Sequence, residues 1–316
     1  MRTPGPPGTR PRRGRHRPGW SAIVTLGAAL AAQIVFAGTG AAWGQTSATP
    51  PPGPGTPPAP PVPVDVTGAS RIDYDAGAEE YTFRGPRVVV IRGEQRLVAP
   101  VIFYRASTRR AELPERGTVS APTGELTADH IVAELATRHL VAEGQAAGRF
   151  LDEGTWASIT ADRIEVTDQT DQREIEATGH VVVVRGDEEL RGDHVTYDRT
   201  GQRATVVGDA VAIRGGDRLQ ADQVVADLGT RDAVATGRVT LDRAAQAMHG
   251  SADRVTYTGR TDTAVLSGHA MLTRDHDMVT ADTITVEMAQ HHALADGQST
   301  VVAYPSEGGG QGETPP

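Results

Sequence analysis

The sequence predicts an all-β fold of about eight stacked strand pairs, with a repeat of about 30 residues. Three observations predict this fold. Two sequence marks recur at a nearly fixed spacing, apolar and polar residues alternate beside each mark, and turn-forming residues separate the alternating runs. No segment keeps an apolar period of 3.6 residues, so the pattern favours strands over helices throughout the repeated body.

The first mark is an aspartate that follows an alanine or a glycine, and its six copies are 33, 31, 29, 31 and 29 residues apart. The second mark is a glycine that follows the aspartate by 15 residues in five copies and by 17 in the copy at Asp162. Two looser copies come earlier, with Ser70 and Gly85 in the two positions and Pro100 in the aspartate position of the next copy. The six pairs are Asp129/Gly144, Asp162/Gly179, Asp193/Gly208, Asp222/Gly237, Asp253/Gly268 and Asp282/Gly297.

The runs beside the marks have the two-residue period of a strand with one buried face. Ile164-Glu165-Val166 and Val255-Thr256-Tyr257 are examples from the first strand of a repeat. Turn residues such as Gly229-Thr230-Arg231-Asp232 follow, and they suit tight hairpins. The buried face of the second strand is less certain where the other face is apolar too, at Val182, Val184, Val211 and Ile213.

Two places depart from the regular repeat. The second copy, around Glu115, is interrupted by Pro114, and residues 145–158 are interpreted as a small insertion. The inward positions are aliphatic and often small, which favours a slot between two sheets over a densely filled core. A narrow solenoid stacked on small residues would also use alanine.

Composition excludes several classes of protein. There is no cysteine, so the chain has no disulfide and no thiolate metal site. The formal charge is −9, and it becomes −15 without the six arginines of residues 1–44. A body that is this acidic argues against nucleic acid as a partner, because phosphate contacts need clustered lysine and arginine.

The sequence divides into a leader, a spacer, the repeated body and a tail. Residues 1–44 are interpreted as a signal peptide, because a basic stretch and an apolar run precede Ala42-Trp43-Gly44, which has the small-x-small pattern of a cleavage site. An uncleaved membrane anchor is the alternative. Residues 45–64 are a proline-rich linker, 65–304 the repeat domain and 305–316 a disordered tail.

The repeated pattern resembles the OstA-like family, which includes LptA, LptC and the N-terminal domain of LptD. The copies that carry the resemblance run from Ala161 to Val166 with Ala177 to Val181, from Gly192 to Asp198, and from Ala252 to Tyr257. The resemblance implies an open, V-shaped β-jellyroll in the periplasm, whose apolar groove carries the acyl chains of lipopolysaccharide between the membranes. It also implies end-to-end contacts, both with further copies of this chain and with other Lpt-type proteins at the inner and outer membranes.

The lipid-binding groove predicted on this basis is lined by the inward-facing apolar residues of both strands. They are Ile131, Ile164, Val166, Val181, Val183, Val195, Tyr197, Val224, Val239, Leu241, Val255, Tyr257, Leu266, Leu272, Ile284 and Val286.

No catalytic residue, metal site or cofactor is predicted, and the protein is not expected to be an enzyme. The repeated aspartates recur as structural marks, whereas catalysis needs a unique constellation. The histidines lack metal-binding spacing, and no serine lies in a Gly-x-Ser-x-Gly motif. Besides the carrier, three alternatives stay open: a structural β-solenoid without lipid, a membrane-anchored LptC-like component, and a polysaccharide-active β-helix.

Overall fold

The computed structural model describes residues 64–303, except 153, 154, 170–172, 199, 245, 246, 289 and 291. The predicted signal peptide, most of the linker and the predicted tail lie outside the described residues. Within them the chain forms twenty strands: β1 Val64–Thr67, β2 Arg71–Asp75, β3 Glu80–Arg92, β4 Gln95–Arg105, β5 Arg110–Leu113, β6 Gly117–Ala121, β7 Gly124–Ala128, β8 His130–Glu134, β9 His139–Asp152, β10 Thr155–Asp168, β11 Arg173–Arg185, β12 Glu188–Asp198, β13 Arg203–Arg214, β14 Asp217–Asp227, β15 Asp232–Arg243, β16 Met248–Thr258, β17 Thr263–Arg274, β18 Asp277–Glu287, β19 His292–Asp296 and β20 Thr300–Val302.

The strands form one antiparallel sheet that is bent along its whole length. From β9 to β18 each strand pairs with the one before it and the one after it. Four bent strands are interrupted at the bend, and they appear as β1/β2, β5/β6, β7/β8 and β19/β20. Counted with these four joined, the twenty strands make eight bent pairs, so the predicted all-β repeat is confirmed.

Each strand bends where the sequence carries its mark. Between β10 and β11 the register shifts from Thr160 to Arg163, and the extra residues on the partner are Gly179 and His180, with φ of 79° and 49°. Asp162 lies against this bulge, and a Cβ on Gly179 would lie 2.2 Å from its Oδ2. Two successive left-handed residues turn the strand out of the plane of the sheet. The aspartate of one strand and the glycine of its paired strand therefore lie against each other at the same bend.

The bends align into a ridge, and the two halves of every strand form two walls that meet there. Wall A contains residues 71–75, 80–84, 101–105, 110–113, 130–134, 139–143, 163–168, 173–178, 194–198, 203–207, 223–227, 232–236, 254–258, 263–267, 283–287 and 292–296. Wall B contains residues 64–67, 88–92, 95–99, 117–121, 124–127, 146–152, 155–161, 181–185, 188–192, 210–214, 217–221, 239–243, 248–252, 270–274, 277–281 and 300–302.

The inward side chains of both walls form a single hydrophobic cluster that extends from Phe83 to Met288. Every second residue of a strand belongs to it, as Ile175 and Ala177 do on wall A and Val181 and Val183 on wall B. Burying one face of each strand fixes the register, because a slip by one residue would turn the apolar set outward.

One prediction about the body was wrong. Residues 145–158 are not an insertion, since they continue β9 and begin β10 in unbroken antiparallel register, with Phe150 opposite Ala157. This hairpin lengthens wall B and leaves the repeat intact. Pro114 does interrupt the second copy, as predicted, because β5 ends at Leu113 and β6 begins at Gly117.

The hairpin turns opposite the ridge are held by short side chains. Asp227 Oδ1 accepts a hydrogen bond of 2.8 Å from the backbone N–H of Thr230, and Asp198 Oδ1 accepts one of 2.9 Å from Gly201. The bond from Thr230 is the main reason that the pKa of Asp227 lies below its ordinary value. These turns join consecutive strands directly, so each successive hairpin extends both walls.

Candidate functional site

The residues predicted to line a groove all point between the two walls. Fifteen of the sixteen are buried, and Leu272 is partly buried against the same cluster. Ile131 and Ile284 are 0% exposed. The structure thus brings the predicted residues into one continuous apolar interior, which is closed to solvent over most of its length.

The interior opens into a cavity at each end of the body. The C-terminal cavity has a volume of about 320 Å³ and is lined by Leu272, Val286, Met288 and the rim residues Arg243 and Arg274, among others. The N-terminal cavity is about 70 Å³ and almost entirely apolar, with Phe83, Val90, Leu97, Ile102 and Tyr104 in its wall. Only the C-terminal cavity combines an apolar floor with a strongly charged rim.

At the N-terminal end of the sheet, the terminal strand β2 presents aromatic and aliphatic side chains. Tyr74 stacks on Tyr81 with ring centroids 4.5 Å apart, and Ile72 lies opposite Phe83 in register. Ile72 is nevertheless 57% exposed and Tyr74 54% exposed, because no further strand covers them among the described residues. This end is an apolar surface with open backbone hydrogen-bonding positions.

The C-terminal end has the same character with smaller side chains. On the last described strands Leu294 is 54% exposed and Val301 is 62% exposed. Strand β19 pairs with β18 on wall A, and β20 pairs with β18 on wall B. Both ends therefore offer strand edges at which the sheet could continue.

Arginines recur at the last position of β11, β13, β15 and β17, on the rim of wall B. Arg214 Nε lies 3.2 Å from Glu188 Oε1, and Arg243 Nε lies 3.5 Å from Asp217 Oδ2. Burial raises the pKa of Glu188 above its ordinary value, and the attraction of Arg214 and Arg185 only partly offsets this. The rim places charges directly above the apolar interior.

The ridge carries the repeated aspartates on the outside of the bend. At four of the six corners the aspartate contacts the residue that follows the glycine. For example, Asp162 Oδ2 lies 3.0 Å from His180 Nδ1, and Asp222 Oδ1 accepts a 2.9 Å hydrogen bond from Arg238 Nε. The bond to Asp222 also raises the pKa of Arg238. These contacts support the interpretation of the aspartates as corner-forming residues.

Two features that would indicate another kind of site are absent from the described part of the chain. It holds no group of three or more histidine, aspartate and glutamate side chains placed to bind a metal ion. None of its elements is a helix with the length and apolar character needed to cross a membrane.

Sequence reasoning missed the N-terminal continuation of the interior and the arginine rim. The alternation of Val88 and Val90, and of Leu97 and Ala99, already marks inward residues before Ile131. The rim arginines Arg185, Arg214, Arg243 and Arg274 recur after 29, 29 and 31 residues, which is the spacing of the repeat itself. That recurrence could have revealed them.

Comparison with known proteins agrees with the repeat. Residues 158–292 match the model of the family described as "LptA/(LptD N-terminal domain) LPS transport protein". No curated protein matches the chain.

Among solved structures the chain is similar to LptH from Pseudomonas aeruginosa, described as the LptA homologous periplasmic component of the lipopolysaccharide transport device. The two share 18% sequence identity, over 47% of this chain and 95% of that one, with a TM-score of 0.25. Through residues 158–292 the chain is similar to the family of LptA and the LptD N-terminal domain.

Proposed function

We propose that this protein is a non-enzymatic carrier that binds lipopolysaccharide between its walls and passes it through the periplasm, from the inner to the outer membrane. The observation that carries the proposal is the unbroken apolar interior, which extends from Phe83 to Met288 and reaches a cavity at each end. The match of residues 158–292 to a family of lipopolysaccharide transport proteins supports it.

The chemistry of the interior suits acyl chains. Each CH₂ group that moves from water into an apolar site contributes about 0.8 kcal/mol. Valine, isoleucine and alanine side chains offer no hydrogen bonds, so an acyl chain would be held without fixed contact points. Binding of several chains can then be tight, while movement along the interior stays easy.

Entry of a lipid requires the walls to separate, because the predicted groove residues are buried against one another. The ridge is the natural hinge, since each strand crosses it through a bulge where ladder hydrogen bonds are interrupted. Separation exposes mainly alanine and valine in the central repeats, and acyl chains would cover the same surface again.

The two ends support assembly with further β-jellyroll proteins. The exposed Ile72 and Tyr74 at one end and Leu294 and Val301 at the other would be covered by a continuing sheet. Strand addition supplies backbone hydrogen bonds, and the alternate side chains supply specificity. We propose head-to-tail contacts with a second copy and with homologous proteins at the inner and outer membranes, after cleavage of the signal peptide.

Site-specific photo-crosslinking tests the carrier function. An aliphatic diazirine amino acid at Ile164, Val195, Val255 or Ile284 is expected to capture lipopolysaccharide in cells. The matched controls are Arg163 and Arg254, which lie beside Ile164 and Val255 on the same strands and point outward. Capture at the outward positions alone would overturn the proposal.

A structural scaffold is the second candidate, and one observation favours it: the interior is closed, with Ala177, Ala210 and Ala264 fully buried. Extraction of the purified protein with organic solvent separates the two functions. A carrier is expected to release acylated lipid, detected by mass spectrometry, whereas a permanently filled core releases none.

A further inference from the structure

The rim of wall B carries a row of residues that lie directly opposite one another on consecutive strands. Read across the sheet from β11 to β18, the row is Arg185, Glu188, Arg214, Asp217, Arg243, Met248, Arg274 and Asp277. Positive and negative side chains alternate along it, and each arginine thereby has a carboxylate on a neighbouring strand.

The alternation is broken at one position. Met248 stands where the pattern requires a carboxylate, with Arg243 and Arg274 opposite it on the two flanking strands. Strands that are two apart in a sheet are about 9.5 Å apart. The row therefore contains a gap, flanked by two guanidinium groups, that lacks the negative charge present at its equivalent positions.

The gap coincides with the larger cavity. Arg243, Met248 and Arg274 all line the C-terminal cavity of about 320 Å³, together with Leu272, Val286 and Met288. Arg243 Nη1 lies 3.5 Å from Met288 Sδ on the opposite wall, so this arginine spans the mouth of the interior. An apolar cavity below two arginines has the shape and polarity of an anionic amphiphile.

We propose that Arg243 and Arg274 hold a phosphate group of an acylated lipid above Met248, with the acyl chains in the cavity below. The proposal rests on the proposed function and identifies where the headgroup binds. A phosphate there would complete the alternation of charge along the rim. Arginine suits this role because its planar fork binds phosphate through two N–H groups.

The other charged groups at the cavity leave room for this anion. Wall A contributes one carboxylate to the cavity lining, that of Glu287. The Oε2 atom of Glu287 lies 3.7 Å from His292 Nδ1. Asp217 and Asp277 flank the two arginines on their outer sides, away from Met248. The space between the arginines is thus bordered by an apolar side chain and by no carboxylate of the row.

Equilibrium competition against a fluorescent lipid A tests the proposal on the full chain. The probes are lipid A with two phosphates, the same lipid after enzymatic dephosphorylation, and inorganic phosphate. The wild-type protein is expected to bind the phosphorylated lipid about tenfold to a hundredfold more tightly, as for hydrogen bonds to charged groups.

Two variants of different kinds test the gap. Met248→Glu supplies the missing carboxylate, and Arg274→Gln removes one exposed guanidinium. Both are expected to bring the two lipid affinities close to parity. Arg254→Gln, an outward arginine on the same strand as Met248, is the matched control and is expected to keep the preference. Thermal unfolding shows that each variant is folded.

Each outcome decides between the proposals. If the wild-type protein binds both lipids equally, the headgroup site is wrong while the carrier function stands. If it binds neither, both fail. Displacement by inorganic phosphate at a concentration similar to that of the lipid would indicate a site for free anions and would overturn the lipid assignment.

Discussion

The N-terminal and C-terminal parts of the body make the same ridge by different means. From Asp129 onward every crossing uses an aspartate against a left-handed glycine. Before that, the crossings use interruptions and prolines: β1 stops at Thr67 and β2 starts at Arg71, while Pro86 and Pro114 occupy the bends of two other strands. Proline cannot donate to the ladder, so it ends pairing at the bend.

The interiors differ as well. The N-terminal part is filled by larger side chains, with Phe83, Ile102, Leu113 and Leu126 all buried, whereas the inward positions from β13 to β17 are mostly alanine. The comparison shows that the bent sheet depends on where a strand can leave its plane, and that several local chemistries satisfy this need. For the wall separation proposed above, the central repeats would have the lowest cost, because their buried side chains are the smallest.

The largest expected effect comes from deleting core side chains in the two parts. Ile164→Ala, at a buried site that borders neither end cavity, is expected to lower the free energy of unfolding by about 3–5 kcal/mol. Ile102→Ala is expected to cost less, about 2–3 kcal/mol, because Ile102 already borders a cavity and loses fewer contacts. Urea unfolding of both variants measures the difference, and equal losses would contradict the contrast in packing.

The two kinds of corner respond differently to a methyl group. Gly179→Ala is expected to cost about 1–3 kcal/mol, because it combines a left-handed backbone with a clash against the Asp162 side chain. Adding Asp162→Ala should recover part of that loss. At Gly68 the new Cβ would lie 2.1 Å from the backbone oxygen of Arg87, so no side-chain deletion can relieve the clash.

Gly186→Ala is the control for the corner experiment. Gly186 has φ of 62°, yet a Cβ there meets nothing within 4 Å, so it measures the backbone strain alone. Thermal or urea unfolding of the single and double variants separates strain from clash. An equal cost at Gly179 and Gly186 would show that the aspartate does not shape the corner.

The ionic contacts of the ridge are expected to contribute less than its backbone geometry. Asp222→Ala removes the hydrogen bond from Arg238, but both side chains are largely exposed, so the loss of stability is expected to be smaller than that of Gly179→Ala. It should shrink further in 1 M salt, where charges are screened. A loss that persists in high salt would instead indicate that the aspartate acts through the bend itself.

The repeat and the alternation predicted the fold because both follow from local chemistry. The corner needs a glycine with positive φ and a partner at Asp162 or its equivalents, and a buried wall needs every second residue apolar, so each leaves a periodic trace in the sequence. The N-terminal crossings leave a weaker trace, since a strand can be interrupted in many ways.

The recurrence of the rim arginines is visible in the sequence, but their position above the apolar interior is not. An arginine before a turn is common on a protein surface, and its position on the inner rim depends on which face of the strand is buried. At Val182, Val184, Val211 and Ile213 both faces are apolar, so the sequence left that choice uncertain. The closed interior also depends on contact between the two walls, which the alternation within each strand does not report.

The smallest expected effect concerns the rim, where the two parts of the molecule again differ. The residue opposite Arg92 is the neutral Gln95, whereas its counterpart opposite Arg185 is Glu188. Burial raises the pKa of Glu188, so its contribution to stability is fully present below the ordinary glutamate pKa and is lost as pH rises through the folded-state value.

Glu188→Gln makes the C-terminal rim resemble the N-terminal one, and it is expected to raise the melting temperature at neutral pH. The gain should fade on acidification below about pH 4, where Glu188 is protonated in both states. Melting curves from pH 3 to 8 measure this trend, and a gain that grows toward low pH would mean that the attraction of Arg214 outweighs the cost of burial.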